Sequence, residues 1–381
     1  MPTPTPPTRK LKVLSVFGTR PEAIKMAPVV KGLEAQNRWI ESKVCVTAQH
    51  RQMLDQVLQL FDITPDFDLD LMKPNQDLFH ITTAVLNGMK PILEAEKPDI
   101  VLVHGDTTTS FATSLACYYL QIPVGHVEAG LRTYNSQFPF PEELNRVVTD
   151  AIGTLFFAPT EQSKQNLLAL RGGNPKGIFV TGNTVIDALF QTLNAPVKVA
   201  SPVTLKEGNR LVLATVHRRE NFGEPLQAIL KAMLHLLEQF PDVELALPVH
   251  PNPNVKPLVE ATLGQQERIH LLPPQEYEPF CRLMQQACLI LTDSGGVQEE
   301  APSLGIPVLV LRDETERPEA VEAGTVKLVG PHYEQIVAEA SKLLGDGAYY
   351  QAMQRATNPY GDGQAVRRIV DALRGFWESI G

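Results

Sequence analysis

The stretch Leu289–Glu300, LILTDSGGVQEE, decides how this chain is read: an apolar run stops at Asp293-Ser294-Gly295-Gly296 and an amphipathic helical pattern starts at once. A strand that hands directly to a helix through glycine is the building unit of a parallel sheet, and its junction suits phosphate. Gly295 and Gly296 let backbone N–H groups approach an anion, while Ser294 and the helix start add donors and the positive end of the dipole. Glu300 falls about one and a half turns into the helix, where a carboxylate can accept from ribose hydroxyls. A glycine turn used only for tight packing gives the same pattern, so the rest of the chain must decide between them.

The strand–helix alternation extends in both directions. Short β-branched runs at Lys12–Phe17, Lys43–Thr47, Ile100–His104, Val124–Val127, Leu155–Phe157 and Ile178–Thr181 are followed by Leu211–Val216, Val243–Val249, Ile269–Leu272, Leu289–Thr292, Val308–Leu311 and Lys327–Val329. Between them lie helical patterns that include Pro21–Gln36, Leu78–Glu96, Ser110–Leu120, Leu226–Phe240, Gly296–Ser303 and Glu334–Leu344. This is the rhythm of an α/β chain with doubly wound (Rossmann-like) sheets. A proline-rich, small-residue stretch at Leu193–Asn209 marks a seam. Two domains are therefore expected, at 11–182 and 183–365, with the ligand in an interdomain cleft at the carboxyl ends of both sheets. A last helix from Val366 is expected to pack back on the first domain.

With 381 residues, 43% hydrophobic and 20% charged, the chain has ample material for two cores. A net charge of −9 and a pI near 5.6 exclude the positive field that nucleic acid or a membrane surface needs, so an anionic ligand must be met by local cations. Residues 1–10 read as a disordered leader, and no run approaches the ~20 apolar residues of a membrane span, so a cytoplasmic protein is expected. Cys45, Cys117, Cys281 and Cys288 contain no CxxC pair and sit in apolar surroundings, which reads as buried thiols rather than disulfides or a zinc site.

Chemistry-bearing residues cluster where strands end. After the first strand, Gly18-Thr19-Arg20-Pro21-Glu22 has capping-box spacing, and Arg20 and Lys25 add cations able to meet a diphosphate. After the third and fourth strands of the first half stand Gly105-Asp106 and Glu128-Ala129-Gly130, with Glu142 following in FPEELNR. Acids gathered in one site perturb one another and can supply both an acid and a base. Asp106 and Glu142 also fit helix-start acids, whereas Glu128 has no capping role. His104 and Asp106 form an HxD pair, but no further ligand at workable spacing completes a metal site. In the second half, His217 and His250 each stand at the carboxyl end of a strand, and His217 with Arg218 and Arg219 forms a cationic rim.

Taken in order, FGTRPEAIKMAP, GDTTT, HVEAGLRT, FPEELNR, HRREN, HPNP and DSGGVQEEAPSLGIPVLVLRDETERPEAVEAGT resemble the non-hydrolysing UDP-N-acetylglucosamine 2-epimerases from Val16 to about Gly330. The resemblance implies a glycosyltransferase-B-like fold and interconversion of UDP-N-acetylglucosamine with UDP-N-acetylmannosamine. The implied route is anti elimination of UDP to 2-acetamidoglucal and re-addition, with no metal and no cofactor. Carried over, Asp106, Glu128 and Glu142 are the acid/base carboxylates, with His217 beside the diphosphate and Arg20 and Lys25 across from it. Ser294, Gly295 and Gly296 hold phosphate, Glu300 the ribose, and Phe280 packs near uracil. In members regulated by their own substrate, a second molecule binds at positions matching Gln49, His50, Gln52, Gln76, Glu143, Arg218 and His250. This chain departs from some of them at Asn75, where they carry arginine, so activation is expected to be weaker unless Lys73 substitutes. A homodimer is a further family expectation.

The rivals are a hydrolysing epimerase, a glycosyltransferase of the same fold, and a nucleotide-sugar sensor without turnover. The three acids argue against the sensor, because a pure binder has no use for carboxylates near a diphosphate.

Overall fold

The computed structural model describes residues 9–48, 51–73 and 76–380, which divide into two compact units. One comprises the described residues up to Phe190 together with those from Gly361 onward; the other is Gln191–Tyr360. The first changeover thus falls at Phe190/Gln191 rather than after Gly182. The reason is local: residues 184–194 form one continuous helix, Thr184–Asn194, and the chain passes between units within it.

The first unit holds a seven-stranded sheet of β1 Leu11–Phe17, β2 Ile40–Val46, β3 Phe67–Asp68, β4 Ile100–His104, β5 Val124–Val127, β6 Leu155–Ala158 and β7 Ile178–Val180. The order is β3-β2-β1-β4-β5-β6-β7, and every pairing is parallel. Strands such as β1 and β4 are buried along nearly their whole length, as expected where helices cover both faces of a parallel sheet. The two-residue β3 at the sheet edge carries no apolar run and was not visible in the sequence. Because the order reverses between β1 and β4, the loops after these two strands open onto the switch point.

The second unit has six parallel strands: β8 Arg210–Thr215, β9 Val243–Pro248, β10 Ile269–Leu272, β11 Ala287–Thr292, β12 Val308–Val310 and β13 Val326–Leu328. Their order, β10-β9-β8-β11-β12-β13, puts the second switch point between β8 and β11. Ala214, Leu230, Leu289, Leu309 and Ile336 form the centre of its core. The predicted helix Gly296–Ser303 is shorter than expected. It runs Gly295–Glu300 and tightens into a 3-10 turn at Ala301–Leu304, where Pro302 has no N–H to continue the ladder.

The chain returns to the first unit through the helix Ala365–Ile380. Asp187 receives its first backbone donors, Ala365 N at 3.1 Å and Val366 N at 3.0 Å, and Arg368 reaches the Thr181 carbonyl at 2.9 Å. Gly32 permits close approach here, since a Cβ would lie 2.3 Å from Val366 Cγ1. Arg9, read as part of the leader, is instead fastened: its guanidinium makes two bonds to Asp99 at 2.6 and 2.7 Å and lies 4.8 Å above the Trp377 ring. The rest of that leader, residues 1–8, lies outside the described residues. Cys45, Cys117 and Cys281 are buried and Cys288 half-buried, all as free thiols. Among the described residues no helix is long and apolar enough to cross a membrane.

Asp187→Ala removes the acceptor for two helix-start N–H groups. It is expected to lower unfolding free energy by about 1–2 kcal/mol and to speed tryptic cleavage within 365–380, read by urea titration and limited proteolysis.

Candidate active site

At the first switch point, one carboxylate ties two loops together. Glu22, on the first turn of the helix Arg20–Glu34, accepts from the Gly18 and Thr19 backbone N–H groups at 3.1 and 2.8 Å, completing the capping box the sequence predicts. Its other oxygen takes the Thr107 hydroxyl at 2.7 Å from the loop after β4, and the Ser110 hydroxyl oxygen stands 3.3 Å away at the start of the helix that follows. Glu22 is 2% exposed; burial raises its proton affinity, and these donors counter that rise. Gly18 is required for the approach, because a Cβ would lie 1.9 Å from Thr47 Oγ1.

The predicted acids gather beside this junction. Glu128 leaves β5 with φ 65°, a left-handed backbone. Its Oε1 pairs with Lys25 Nζ and accepts from Asn183 Nδ2 at 2.9 Å, while its Oε2 lies 3.3 Å from His104 Nε2. Lys25, read as a cation for the diphosphate, is therefore placed on a carboxylate. Asp106 receives Arg146 Nη2 at 2.6 Å, and Asn145 Nδ2 donates to the Asp106 carbonyl at 2.9 Å. Burial pushes Asp106 up, Arg146 opposes that, and the charges of Glu128 and Glu142 push it further up, so the three acids share one field. Glu142 stands half-buried on the first turn of the helix Glu142–Ile152, and its carboxylate makes no hydrogen bond among the described residues. His104 and Asp106 face different partners, Glu128 and Arg146, so they do not act as an HxD pair.

A buried scaffold holds these loops. His126 bonds Asp150 at 2.6 Å through Nδ1 and the Gly105 carbonyl at 2.7 Å through Nε2; Asp150 also accepts from Arg132 at 2.6 Å and Gly130 N at 3.1 Å. Burial alone would raise Asp150, but His126 and Arg132 hold it below the usual carboxylate range. Glu143, 3% exposed, accepts from the Thr133 and Tyr134 N–H groups at 3.0 Å each, so its carboxylate is committed to the loop after Gly130. Glu143, Arg146 and Asp150 were legible in principle: a helix burying charged residues at three- and four-residue spacing has polar work on that face. Asn183, distant in sequence, carried no such signal.

The second unit repeats the device. Asp293, fully buried, receives His217 N at 2.9 Å, Arg218 N at 2.8 Å, Asn221 Nδ2 at 2.9 Å and His217 Nδ1 at 2.8 Å. Burial would raise Asp293, and these partners hold it below its ordinary value. The His217 ring stacks on His250 with centroids 6.1 Å apart. Glu300 accepts from the buried Tyr277 hydroxyl at 2.8 Å, and Phe280 is half-buried on the same helix, Tyr277–Gln286. Gln298 donates to the Ser294 carbonyl at 3.2 Å and accepts from Thr315 at 2.7 Å, bringing the 313–317 loop over the glycines. Arg317, a cation that the sequence reading missed, pairs through Nε with the buried Glu299 and places Nη2 3.7 Å from where a Gly295 Cβ would stand.

Of the positions assigned to a second substrate molecule, Gln52 is exposed on the helix Arg51–Leu60 and Gln76 accepts from Lys73 N at 3.2 Å. Gln49 and His50, like Asn75, lie outside the described residues. Arg20 is half-buried at its helix start.

Two doubly wound parallel sheets in one chain, each with its polar residues on switch-point loops, define the glycosyltransferase-B-like class. A family model for UDP-N-acetylglucosamine 2-epimerase matches residues 32–374, and the chain belongs to that family. The Escherichia coli K12 UDP-N-acetylglucosamine 2-epimerase is 55% identical over 373 residues, covering 96% of this chain and 98% of that protein. The Neisseria meningitidis UDP-GlcNAc 2-epimerase structure, bound to UDP-GlcNAc, matches with TM-score 0.83 at 51% identity over 96% of this chain and 100% of that one. The Methanocaldococcus jannaschii UDP-GlcNAc 2-epimerase, in complex with UDP-GlcNAc and UDP, matches with TM-score 0.74 at 34% identity over 96% and 99%.

Burial pushes the His104 imidazole down from 6.5 to about 3, with Lys25 and His126 adding to the fall and Glu128 opposing it. Between these values the unfolded chain binds a proton that the folded protein refuses, so stability falls as pH drops through the window. The expected contribution is about 1.4 kcal/mol per pH unit. His104→Gln is expected to flatten the decline, read as urea midpoints between about pH 7 and pH 5; equal slopes in the two proteins would refute it.

Proposed function

We propose that this protein epimerises UDP-N-acetylglucosamine reversibly at C2 to UDP-N-acetylmannosamine. The observation that carries the reading is the set of three carboxylates in one electrostatic field beside a strand-end loop, with cations Lys25 and Arg146 among them. A base removes the C2 proton as the C1–O bond to UDP breaks; the C–H electrons become the C1=C2 bond of 2-acetamidoglucal. Re-addition of UDP at C1 and protonation at C2 from the other face give the epimer. One group must therefore accept a proton where another donates it, which acids with coupled titrations supply. His217, oriented by Asp293, and the cations Arg20 and Arg317 are assigned to the diphosphate, with Ser294, Gly295 and Gly296; Glu300, held by Tyr277, is assigned to the ribose, and Phe280 to uracil. The reading includes a cytoplasmic homodimer and a second UDP-N-acetylglucosamine molecule that activates through Gln52, Gln76, Arg218 and His250, with Gln49 and His50. In it, Glu143 shapes the neighbouring loop.

Incubation with UDP-N-acetylglucosamine in deuterated water is expected to place deuterium at C2 of both epimers, read by proton NMR. A C2 hydrogen retained throughout would overturn the mechanism, and release of UDP with free N-acetylmannosamine would identify a hydrolase. Asp106→Asn, Glu128→Gln and Glu142→Gln preserve side-chain size and are each expected to lower turnover at least ~10²-fold with UDP affinity nearly unchanged. Any amide variant turning over within a few fold of the parent would lose its assigned role. Arg317→Ala is expected to weaken UDP binding about tenfold by calorimetry, the size of one charge-assisted contact.

A further inference from the structure

His104 closes β4 fully inside the protein, 4% exposed, and neither ring nitrogen makes a well-aligned hydrogen bond. A buried unsatisfied polar group ordinarily costs about 1–3 kcal/mol, and most are eliminated from folded proteins. An apolar side chain at this position would avoid that cost on a strand whose other residues, Ile100, Val101, Leu102 and Val103, are all apolar and buried. What the imidazole does face is Glu128: Nε2 stands 3.3 Å from Oε2, the oxygen opposite the one that meets Lys25 and Asn183. The Ser110 hydroxyl donates to the His104 carbonyl, fixing the backbone beneath it, and Gly105 follows with φ 65°, a Cβ there lying 3.5 Å from Glu128 Oε2.

We infer that His104 is a positioning residue for Glu128: its neutral imidazole presents Nε2–H to Oε2, holding the carboxylate's orientation and favouring its ionised form. The ring is suited to this task because burial keeps it uncharged across the working pH range. It therefore offers a donor without adding a second positive charge beside Lys25. An arginine or lysine here would clamp the carboxylate permanently; a neutral donor leaves it able to take a proton during the reaction. The charged and titratable groups around the pair are Lys25 on the helix after β1, His126 on β5 and Asp106 on the loop after β4.

The inference rests on the proposed role of Glu128, and its test is separable from that role. Carbon-13 glutamate labelling, with the Glu128 signal assigned by its loss in Glu128→Gln, reports the carboxyl titration of the free protein without any turnover. In His104→Leu the midpoint is expected to rise by about one unit, a tenfold gain in proton affinity. In His104→Gln, which restores an N–H donor, it is expected to return near the parent value. Exchange of the C2 hydrogen into deuterated water is expected to slow at least tenfold in His104→Leu, with its acidic limb moved to higher pH, while UDP affinity stays within about twofold. An unmoved Glu128 midpoint in His104→Leu overturns the inference, as does a glutamine variant indistinguishable from the leucine one. Should the leucine variant fail to fold, His104→Met against His104→Gln makes the same comparison between no donor and donor. Absence of C2 exchange in the parent would reject the proposed activity and leave the titration result to stand or fall alone.

Discussion

A single buried carboxylate at each switch point shapes everything built there. Glu22 joins the loop after β1 to the loop after β4, and Asp293 joins the loop after β11 to the loop after β8. An isolated carboxylate in such a place would be expelled or protonated; three donors around Glu22 and four around Asp293 make the burial tolerable and turn it into a geometric constraint. Backbone N–H groups supply part of each set, so the carboxylate dictates the path of the main chain as well as side-chain positions. The two units thus use one solution twice, although Glu22 comes from a helix start and Asp293 from a strand end.

Charge is arranged in layers around the first junction. Asp150 and Glu143, innermost, are committed to His126, Arg132 and backbone donors. Lys25 and Arg146 form the next layer, each on one acid of the site. Glu142 stands at the edge with no fixed partner among the described residues. This gradient separates the acids by how readily each can change protonation: a carboxylate held by a guanidinium gives up its charge less easily than one held by dipoles alone.

The sheets were legible because buried parallel strands advertise themselves as apolar runs and their loops carry the glycines. All six strands of the second unit appear in the sequence to within a residue or two. What escaped was set by tertiary contact. Thr19 and Glu22 read as a capping box, and nothing in that spacing announces Thr107. Lys25 reads as a phosphate cation until the fold places Glu128 against it. Asn183 reaches the first junction, and Tyr277 and Arg317 the second, from distant segments of their own units, and the changeover between units is hidden inside a helix whose pattern continues through it. Arg9 is set apart from the proline-rich leader only by Asp99 and Trp377, which lie far from it in sequence.

The left-handed backbone at Glu128 has a consequence for anyone who would optimise this protein. A residue bearing a Cβ with φ near 65° gives up roughly 1 kcal/mol relative to glycine. Its carboxylate also has to be withdrawn from water. Glycine would suit this backbone better, but it would leave Lys25 and Asn183 without the acceptor they share. Backbone comfort and chemistry therefore pull in opposite directions at this one position. A design procedure that scored backbone conformation alone would place glycine at position 128 and remove the acid with it.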